Sequence, residues 1–541
     1  MADLKAELKK MLAQRGRPSG KPARTEPQRE KDPGNEAGGS ASLRNPVKLY
    51  QPVMPVIAAR VHAVRLPHVA PSPAVPVPRV PAPVPTSFTP LARTALVRQG
   101  LYRDPADWVT LGVGTQTEAA SAARHVDIVI GLDFGTSYTK AAVGFMDKIY
   151  PVTWEGVSKG TPEFLLASEY TVGPQGVGML GQHPASSLGE LVGDLKLPFI
   201  NPGVSQHSIA RAAIFLGLVI GYIRAWVFRY HGMKLGEARI RWQLNLGAPC
   251  NGMESERLVA AYRRLADTAW VLSLLPKGGR IADAEVLAEQ WQEGQPITDL
   301  VGRTICPEFV AQMAGYMASP QRVRGLHALI DVGGGTVDIV TFNVHSVGDE
   351  DTFPFLVPEV RPLGTHALVQ NRLVGVTAPV GVCIPDELDP VAEVEQFSIR
   401  TGIDAGHVRD RDALFSQTLV KRVRSVFEMT KAHRYRMSDA WSTGVRTFFT
   451  GGGSGVALYG DAIASVRTSG ACGLLIRPLP LHPKLDGIPL DIAEYQRVSV
   501  ACGLAQDSFT LARIVAAREV EDDTPAMLKL GVRPDKDDFY T

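Results

Sequence analysis

Two short segments of the sequence place a carboxylate, glycines and hydroxyls directly after apolar runs that are typical of buried strands. Residues 131–140 read GLDFGTSYTK and follow the apolar run 126–130. Residues 329–338 read LIDVGGGTVD and have the same order of strand, Asp, Gly and Thr. Glycine lets backbone N–H groups approach a phosphate closely, and hydroxyls add further donors. The segments therefore predict two similar lobes, each with a tight turn that faces a shared phosphate-binding cleft.

The carboxylates of these segments predict a cation in the same cleft. Asp133, Asp331 and Asp338 would repel a polyphosphate unless a cation lay between them. Mg²⁺ held largely through its water ligands suits this arrangement. A classical P-loop needs Gly-Lys-Ser/Thr at its end, and it is excluded because Lys140 lies too far along and Ala141 follows it.

A third segment, FFTGGGS at residues 448–454, again ends an apolar run in glycines and a serine. Such a turn can lie flat against a nucleoside and its α-phosphate. The alternative for the first two segments is a pair of unrelated glycine-rich turns. Three such turns in order along one chain argue against that alternative.

The elements that position these turns alternate between strands and helices, which predicts an α/β fold. The longest uncharged apolar run, 212–223, is too short to span a bilayer and predicts a buried helix. Strands are predicted at 126–131, 240–247, 326–332, 338–344 and 446–450. Helices are predicted at 207–229, 253–270, 307–318, 411–434 and 492–505.

The first 124 residues have a different composition, with 18 Lys and Arg against 9 Asp and Glu. Nine prolines occur in residues 67–90 alone. This composition cannot bury a core and predicts a disordered, basic, Pro-rich extension. Its first residues predict a short amphipathic helix, with Leu4, Leu8, Met11 and Leu12 on one face. That helix is either a solvated segment or a docking peptide for a protein partner.

The whole-chain totals exclude some function classes. The net charge is +2 over 541 residues, so the predicted folded domain is not expected to bind nucleic acid. The five cysteines lack metal-ligand spacing, which is typical of reduced thiols in a cytoplasmic protein. No membrane association is predicted. A short C-terminal tail is expected at residues 516–541.

The three glycine-rich segments together resemble the actin, sugar-kinase and DnaK-type chaperone ATPase superfamily. GLDFGTSYTK resembles its first phosphate loop, LIDVGGGTVD its second and FFTGGGS its adenosine loop. The resemblance covers roughly residues 126–510. It implies a two-lobed actin-like fold with duplicated ribonuclease-H-like lobes. Lobe I would comprise about 125–325 and the closing helix at about 490–515, and lobe II about 326–489.

The resemblance also implies roles for individual residues around ATP or ADP and Mg²⁺. The residues implied to be catalytic or to order metal waters are Asp133, Lys196, Glu308, Asp331 and Asp338. The residues implied to contact the nucleotide are Gly135, Thr136, Ser137, Gly333, Gly334, Gly335, Thr336, Gly364, Thr365, Gly451, Gly452, Gly453 and Ser454.

Two of these roles have alternatives. Glu308, in the Pro-Glu start of a predicted helix, matches the acid that places the attacking water; otherwise it is a first-turn glutamate stabilised by the helix dipole. Lys196 matches a catalytic lysine of the chaperones, although Leu197 stands where they have arginine; otherwise it is a surface lysine. Lys421, Arg422 and Arg424 fall on the helix that contacts adenine in the chaperones.

The function implied is slow hydrolysis of ATP to ADP, with lobe closure that serves as a nucleotide-dependent switch for a protein partner. The alternatives are an actin-like filament protein of the plasmid-segregation type and a non-hydrolysing nucleotide-sensing scaffold. The sequence departs from the chaperones because a long N-terminal extension precedes the resemblance and no β-rich peptide-binding domain follows it. Peptide binding of the chaperone kind and sugar phosphorylation are therefore not expected.

Overall fold

The described residues form two larger sheets, one small sheet and ten helices. The computed structural model describes residues 124–155, 157, 162–173, 176–180, 190–200, 203–236, 238–249, 255–275, 279–297, 300–347, 350–376, 391–467, 473–507 and 513–515. Apart from Arg124, the predicted N-terminal extension lies outside these residues, as does the predicted tail 516–541.

The first sheet is built on a three-stranded antiparallel meander whose first strand is central. In pairing order its strands are β3 (Lys148–Pro151), β2 (Tyr138–Phe145), β1 (His125–Asp133), β8 (Arg239–Ala248) and β9 (Leu300–Pro307), and β4 (Leu166–Ala167) also pairs with β2. Strands β1, β8 and β9 are parallel to one another. A separate small sheet contains β6 (Gly178–Leu180), β5 (Tyr170–Val172) and β7 (Glu190–Val192).

The second sheet repeats this order. Its strands are β14 (Leu474–Arg477), β13 (Val445–Thr450), β10 (Gly325–Val332), β11 (Val337–Val347), β12 (Glu350–Arg361) and β15 (Arg513–Val515). As in the first sheet, the first strand of an antiparallel meander, here β10, is followed by two parallel strands on its other side. Residues 513–515, grouped with the closing helix from the sequence, instead form a strand of this second sheet.

Helices cover the sheets and separate them. They are α1 (Gln206–Leu235), α2 (Glu256–Ser273), α3 (Ile281–Glu289), α4 (Glu308–Ala318), α5 (Thr365–Leu373), α6 (Val394–Thr401), α7 (Ala405–Met429), α8 (Ala440–Thr443), α9 (Ala457–Ala464) and α10 (Ile492–Leu504). The predicted helix 411–434 is α7 followed by one π-helical turn, Thr430–Arg434.

The predicted buried run 212–223 lies within α1, whose side chains join the core beneath the first sheet. Among the described residues, α1 is the one helix long and apolar enough to cross a membrane, and 89% of its most apolar window is buried inside the protein. Its packing against α2 and α3 and within the core of the first sheet accounts for its apolar composition.

Helix α10 packs against β1, β2 and α4. It begins with a capping box, in which Asp491 accepts from the Glu494 amide and Glu494 accepts from the Asp491 amide. Its packing on α4 is close, because a Cβ on Gly503 would lie 1.7 Å from the Ala311 carbonyl oxygen. This helix pair and residues of both sheets share one apolar core, so the two sheets are joined through it.

Candidate functional site

The two predicted phosphate turns lie at equivalent ends of the two sheets. Asp133 ends β1 and pairs in register with Lys140 of β2. Asp331 is close to the end of β10 and pairs in register with Asp338 of β11. In both sheets a tight turn therefore joins a central strand to its antiparallel neighbour, with one charged side chain on either side of it.

The two turns touch each other. A Cβ on Gly334 would lie 2.0 Å from the Ser137 hydroxyl oxygen, so glycine permits this close approach. Ser137 Oγ also lies 3.1 Å from His366 Nε2, in the first turn of α5. The His366 amide in turn donates to the Gly334 carbonyl at 2.9 Å. These contacts bring the turn of the first sheet directly against that of the second.

The third predicted turn lies beside the second. Gly451 follows β13 with φ of 87°, a conformation that L residues rarely adopt. A Cβ there would lie 2.0 Å from Asp331 Oδ1, so glycine is required on two grounds. The Ser454 hydroxyl donates to the Gly451 carbonyl at 2.7 Å and holds the turn closed.

All three turns open into one cleft of about 650 Å³. The predicted site residues that line it are Asp133, Gly135, Thr136, Ser137, Lys196, Glu308, Asp331, Gly333, Gly334, Gly335, Thr336, Asp338, Thr365, Gly451, Gly452 and Gly453. Two predicted contacts lie behind this lining: Gly364, whose Cα packs on the Gly334 backbone, and Ser454.

Two sheets of the same strand order, with equivalent strand–Asp–Gly turns meeting in one cleft, decide the fold. It is that of the actin, sugar-kinase and DnaK-type superfamily. The fold class predicted from the sequence is thereby confirmed.

Comparisons with known proteins give structural matches. No protein-family model and no curated protein matches the sequence. Among solved structures, the chain is similar to MreB5 of Spiroplasma citri bound to ADP, with 13% identity, a TM-score of 0.36, and coverage of 70% of this chain and 95% of that one. It is also similar to the apo psk41 ParM protein, with 14% identity, a TM-score of 0.34, and coverage of 71% and 97%.

Two carboxylates of the cleft, those of Asp331 and Asp338, have raised pKa values. Burial raises the pKa of Asp331 to about 6, although Gln312 Nε2 donates to its Oδ2 at 2.7 Å. Burial, Glu308 and Asp331 raise the pKa of Asp338 to about 8. Asp338 Oδ1 is buried and has no hydrogen-bond partner among the described residues. Acids whose pKa is raised by neighbouring acids form a site that a cation would stabilise.

The residues fit a cation held through water rather than by direct ligation. Within the described ranges, no three His, Cys, Asp or Glu side chains are placed to ligate one metal ion. The free acceptor at Asp338 Oδ1 and a second at Gln312 Oε1 can receive hydrogen bonds from metal-bound waters. Mg²⁺ usually keeps several waters in protein sites, so this donor set suits it.

Lys196 and Glu308 form a buried ion pair in the cleft wall, with Nζ and Oε1 separated by 2.6 Å. Lys196 immediately precedes a short 3-10 helix, Leu197–Ile200, and Glu308 is the first residue of α4. Burial raises the pKa of Glu308, and the Lys196 ammonium opposes that rise. Burial disfavours the charge on Lys196, but Glu308 and other nearby groups outweigh it and raise the pKa of Lys196. The surface-lysine alternative for Lys196 is therefore wrong.

In the absence of nucleotide, Lys196→Ala is expected to lower the stability of the protein, because it leaves the Glu308 carboxylate in the cleft wall without its partner. The free energy of unfolding should fall by about 3 kcal/mol, the scale of a broken buried ion pair. Burial raises the pKa of Glu308 above its unfolded value. Its protonation should therefore make the deficit smaller at pH 5 than at pH 8.

Urea unfolding at both pH values measures this effect, and Lys421→Ala is the control because Lys421 is exposed on α7. Equal stability of Lys196→Ala and the unmodified chain at pH 8 would contradict the assigned pairing.

Several lining residues were not predicted as site residues, and Lys140, Gln312 and Arg497 are three of them. Lys140 Nζ lies 2.8 Å from Asp133 Oδ2, Gln312 bonds Asp331, and Arg497 of α10 reaches the cleft. Aligning the first two glycine-rich segments would have found Lys140, since it occupies the position that Asp338 has in the second. Gln312 has one signal, its position four residues after Glu308 on the same helix face.

The residues expected near adenine are placed elsewhere. Lys421, Arg422 and Arg424 are exposed on α7 and do not line the cleft. The apolar lining of the cleft includes Val391 and Val456, and Val456 directly follows the third turn.

Proposed function

We propose that this protein binds ATP with Mg²⁺ between its two lobes, hydrolyses it slowly to ADP, and changes the arrangement of the lobes according to the nucleotide bound. The observation that carries the proposal is the meeting of three glycine turns, four acids and two lysines, each paired with one of those acids, in one cleft. The glycine turns offer backbone N–H groups to phosphates, and the acids offer acceptors to the waters of a metal ion. The nearby pair of Glu308 and Lys196 offers a base that can place a water.

Each group has a separate task in this proposal. Asp133, Asp331 and Asp338 hold the waters of Mg²⁺, which neutralises charge on the phosphates when bound. Thr136, Ser137 and Thr336 donate hydroxyls, and the glycine turns donate amides. Glu308 accepts a hydrogen bond from the attacking water, and Lys196 keeps Glu308 ionised and oriented.

Thermal unfolding of the intact chain with ATP, ADP, GTP and no nucleotide, each with and without Mg²⁺, tests binding. A ligand that binds only the folded state at 100 times its Kd stabilises by about 2.7 kcal/mol, so a clear shift is expected with ATP and Mg²⁺. Phosphate release then separates an ATPase from a non-hydrolysing scaffold. No shift with any nucleotide would remove the proposal.

A filament-forming role is the second candidate, and one observation favours it. The edge strands β9 and β14 expose apolar side chains, with Val301 57% and Leu475 43% exposed. Exposed apolar edge strands are sites at which a second copy can pair. Sedimentation that requires ATP would favour this role, and a chain that stays in the supernatant with ATP would favour a monomeric switch.

Deleting residues 1–123 is expected to leave ATP binding intact and to weaken recruitment of a protein partner. The truncation stops before Arg124 because its guanidinium donates to the Leu235 carbonyl and its own carbonyl accepts from the Arg239 amide. A Pro-rich segment gives reach of about 3 Å per residue where it adopts polyproline II, and the predicted helix at its start supplies an apolar face.

Nucleotide-dependent thermal shift and affinity purification from the source cells measure both properties, with Leu4→Asp in the full chain as the matched variant. Loss of the ATP shift on truncation would show that the extension belongs to the ATP-binding fold. Unchanged partner recovery in both variants would contradict the docking role.

A further inference from the structure

One basic side chain in the cleft lacks the pairing that the other two have. Among the described residues that line the cleft, Lys140 is paired with Asp133 and Lys196 with Glu308. Arg497, in contrast, has no carboxylate and no hydrogen-bond acceptor among the described residues, and its guanidinium lies over the ring of Tyr138, 5.9 Å from its centroid. A guanidinium has five N–H donors in a fixed fork, and here that fork is open.

The position of Arg497 places this open fork beside two glycine turns. Tyr138 immediately follows the first turn, in β2, and Gly452 belongs to the third. A Cβ on Gly452 would lie 3.9 Å from Arg497 Nε. Arg497 therefore lies close to both the first and the third glycine turns, on the helix that joins both sheets.

The local environment makes an unpaired cation costly. Arg497 is half-buried in α10, and burial lowers its pKa. The Tyr138 ring compensates only in part, since a cation–π contact at a partly exposed site is weak and leaves the N–H donors unpaired. An anion in the cleft would satisfy both the charge and the donors, and phosphate accepts from a guanidinium in bidentate geometry.

We propose that Arg497 is a phosphate contact of this cleft, which binds the polyphosphate chain of the nucleotide from the side of the closing helix. The inference rests on the proposed function for its ligand, a nucleoside polyphosphate. It assigns to α10 a direct ligand contact, in addition to its structural position between the sheets. Neither the glycine turns nor the acids require such a contact. The proposal for Arg497 can therefore be disproved while the roles proposed for the turns and the acids stand.

Binding of four probes by calorimetry tests the proposal: ATP with Mg²⁺, ADP with Mg²⁺, adenosine, and inorganic tripolyphosphate. The variants are Arg497→Ala and Arg497→Lys, with Arg400→Ala as the matched control, since Arg400 is an exposed helical arginine on α6. Charge-assisted bonds of this kind correspond to about a 10- to 100-fold change in Kd. In Arg497→Ala the Kd for ATP and for tripolyphosphate should therefore rise by that factor. Its Kd for adenosine should stay within about twofold of that of the unmodified chain.

The Kd of Arg497→Lys for ATP should lie between that of the unmodified chain and that of Arg497→Ala, because a lysine keeps the charge but lacks the planar set of N–H donors. Equal ATP affinity in Arg497→Ala would overturn the proposal. Tighter ATP binding in that variant would also overturn it and show that the side chain obstructs the cleft. An equal loss for adenosine and ATP would likewise overturn it, because the residue would then shape the nucleoside site rather than bind phosphate.

The unmodified chain separates this proposal from the function on which it rests. If the unmodified chain binds ATP and Arg497→Ala binds ATP equally well, the ATP-binding function stands and the phosphate contact is disproved. If it binds tripolyphosphate with the predicted Arg497 dependence but does not bind ATP, the phosphate contact stands and the ATP-binding function falls. If it binds neither probe, both are overturned.

Discussion

Glu308→Gln is expected to bind ATP as the unmodified chain does and to hydrolyse it about ten to a thousand times more slowly, the scale of a lost positioning or acid–base group. Glutamine keeps the size of the side chain and one oxygen acceptor but loses the negative charge. The carboxylate lies 2.6 Å from Lys196 Nζ and lines the cleft, so a water bound in the cleft can donate a hydrogen bond to it.

Single-turnover phosphate release, combined with a separate Kd for ATP, distinguishes a chemical effect from a binding effect. Glu428→Gln is the matched control because Glu428 is exposed on α7. Unaltered turnover in Glu308→Gln would leave only a structural role for its pairing with Lys196. A proportional loss of ATP affinity would assign the residue to binding instead.

Asp331→Ala is expected to weaken Mg²⁺-dependent ATP binding by about 10- to 100-fold, the scale of a lost group that orients the ligands of a metal ion. Burial raises the pKa of Asp331 to about 6 and Asp133 adds to that rise, and a Cβ on Gly451 of the third turn would lie 2.0 Å from Asp331 Oδ1. Its removal also leaves the Gln312 amide without its 2.7 Å acceptor.

Asp331→Asn separates these two effects, since an asparagine keeps an acceptor for Gln312 and loses only the charge. Both variants should therefore lose the Mg²⁺ dependence, and Asp410→Ala, an exposed change on α7, should not. With EDTA present, Asp410→Ala should bind ATP with the affinity of the unmodified chain, and the two Asp331 variants should bind it at least as tightly, because one carboxylate that repels the phosphates has been removed. A variant that keeps the full effect of Mg²⁺ would exclude Asp331 from the metal site.

The sequence predicts the fold and most of the cleft because both depend on local patterns. Apolar runs define the central strands, and glycine with positive φ, as at Gly451, is needed at a tight turn whatever surrounds it. Repetition of strand, Asp and Gly indicates the duplication, and the matching strand order of the two sheets bears it out.

What the sequence does not predict depends on partners that are distant along the chain. The pairing of Lys196 with Glu308 joins residues 112 positions apart, and no local pattern specifies it. Arg497 reads as an ordinary polar position of a capped helix until the cleft side of α10 is known. The exposure of Lys421, Arg422 and Arg424 depends on which face of α7 packs on the second sheet.

The contact of Gly503 with the Ala311 carbonyl has a mechanical consequence. The backbones of α10 and α4 meet with no room for a side chain, so we expect the two helices to move together as one rigid body. Arg497 lies on α10 and Glu308 begins α4, so a rotation of this helix pair at the cleft moves both residues together. The eleven residues of α4 span about 16 Å, so a turn of about 10° at the cleft end displaces Ala318 by about 3 Å. Nucleotide turnover and movement at the protein surface would then be coupled, and a bulkier residue at position 503 would separate the two helices and remove that coupling.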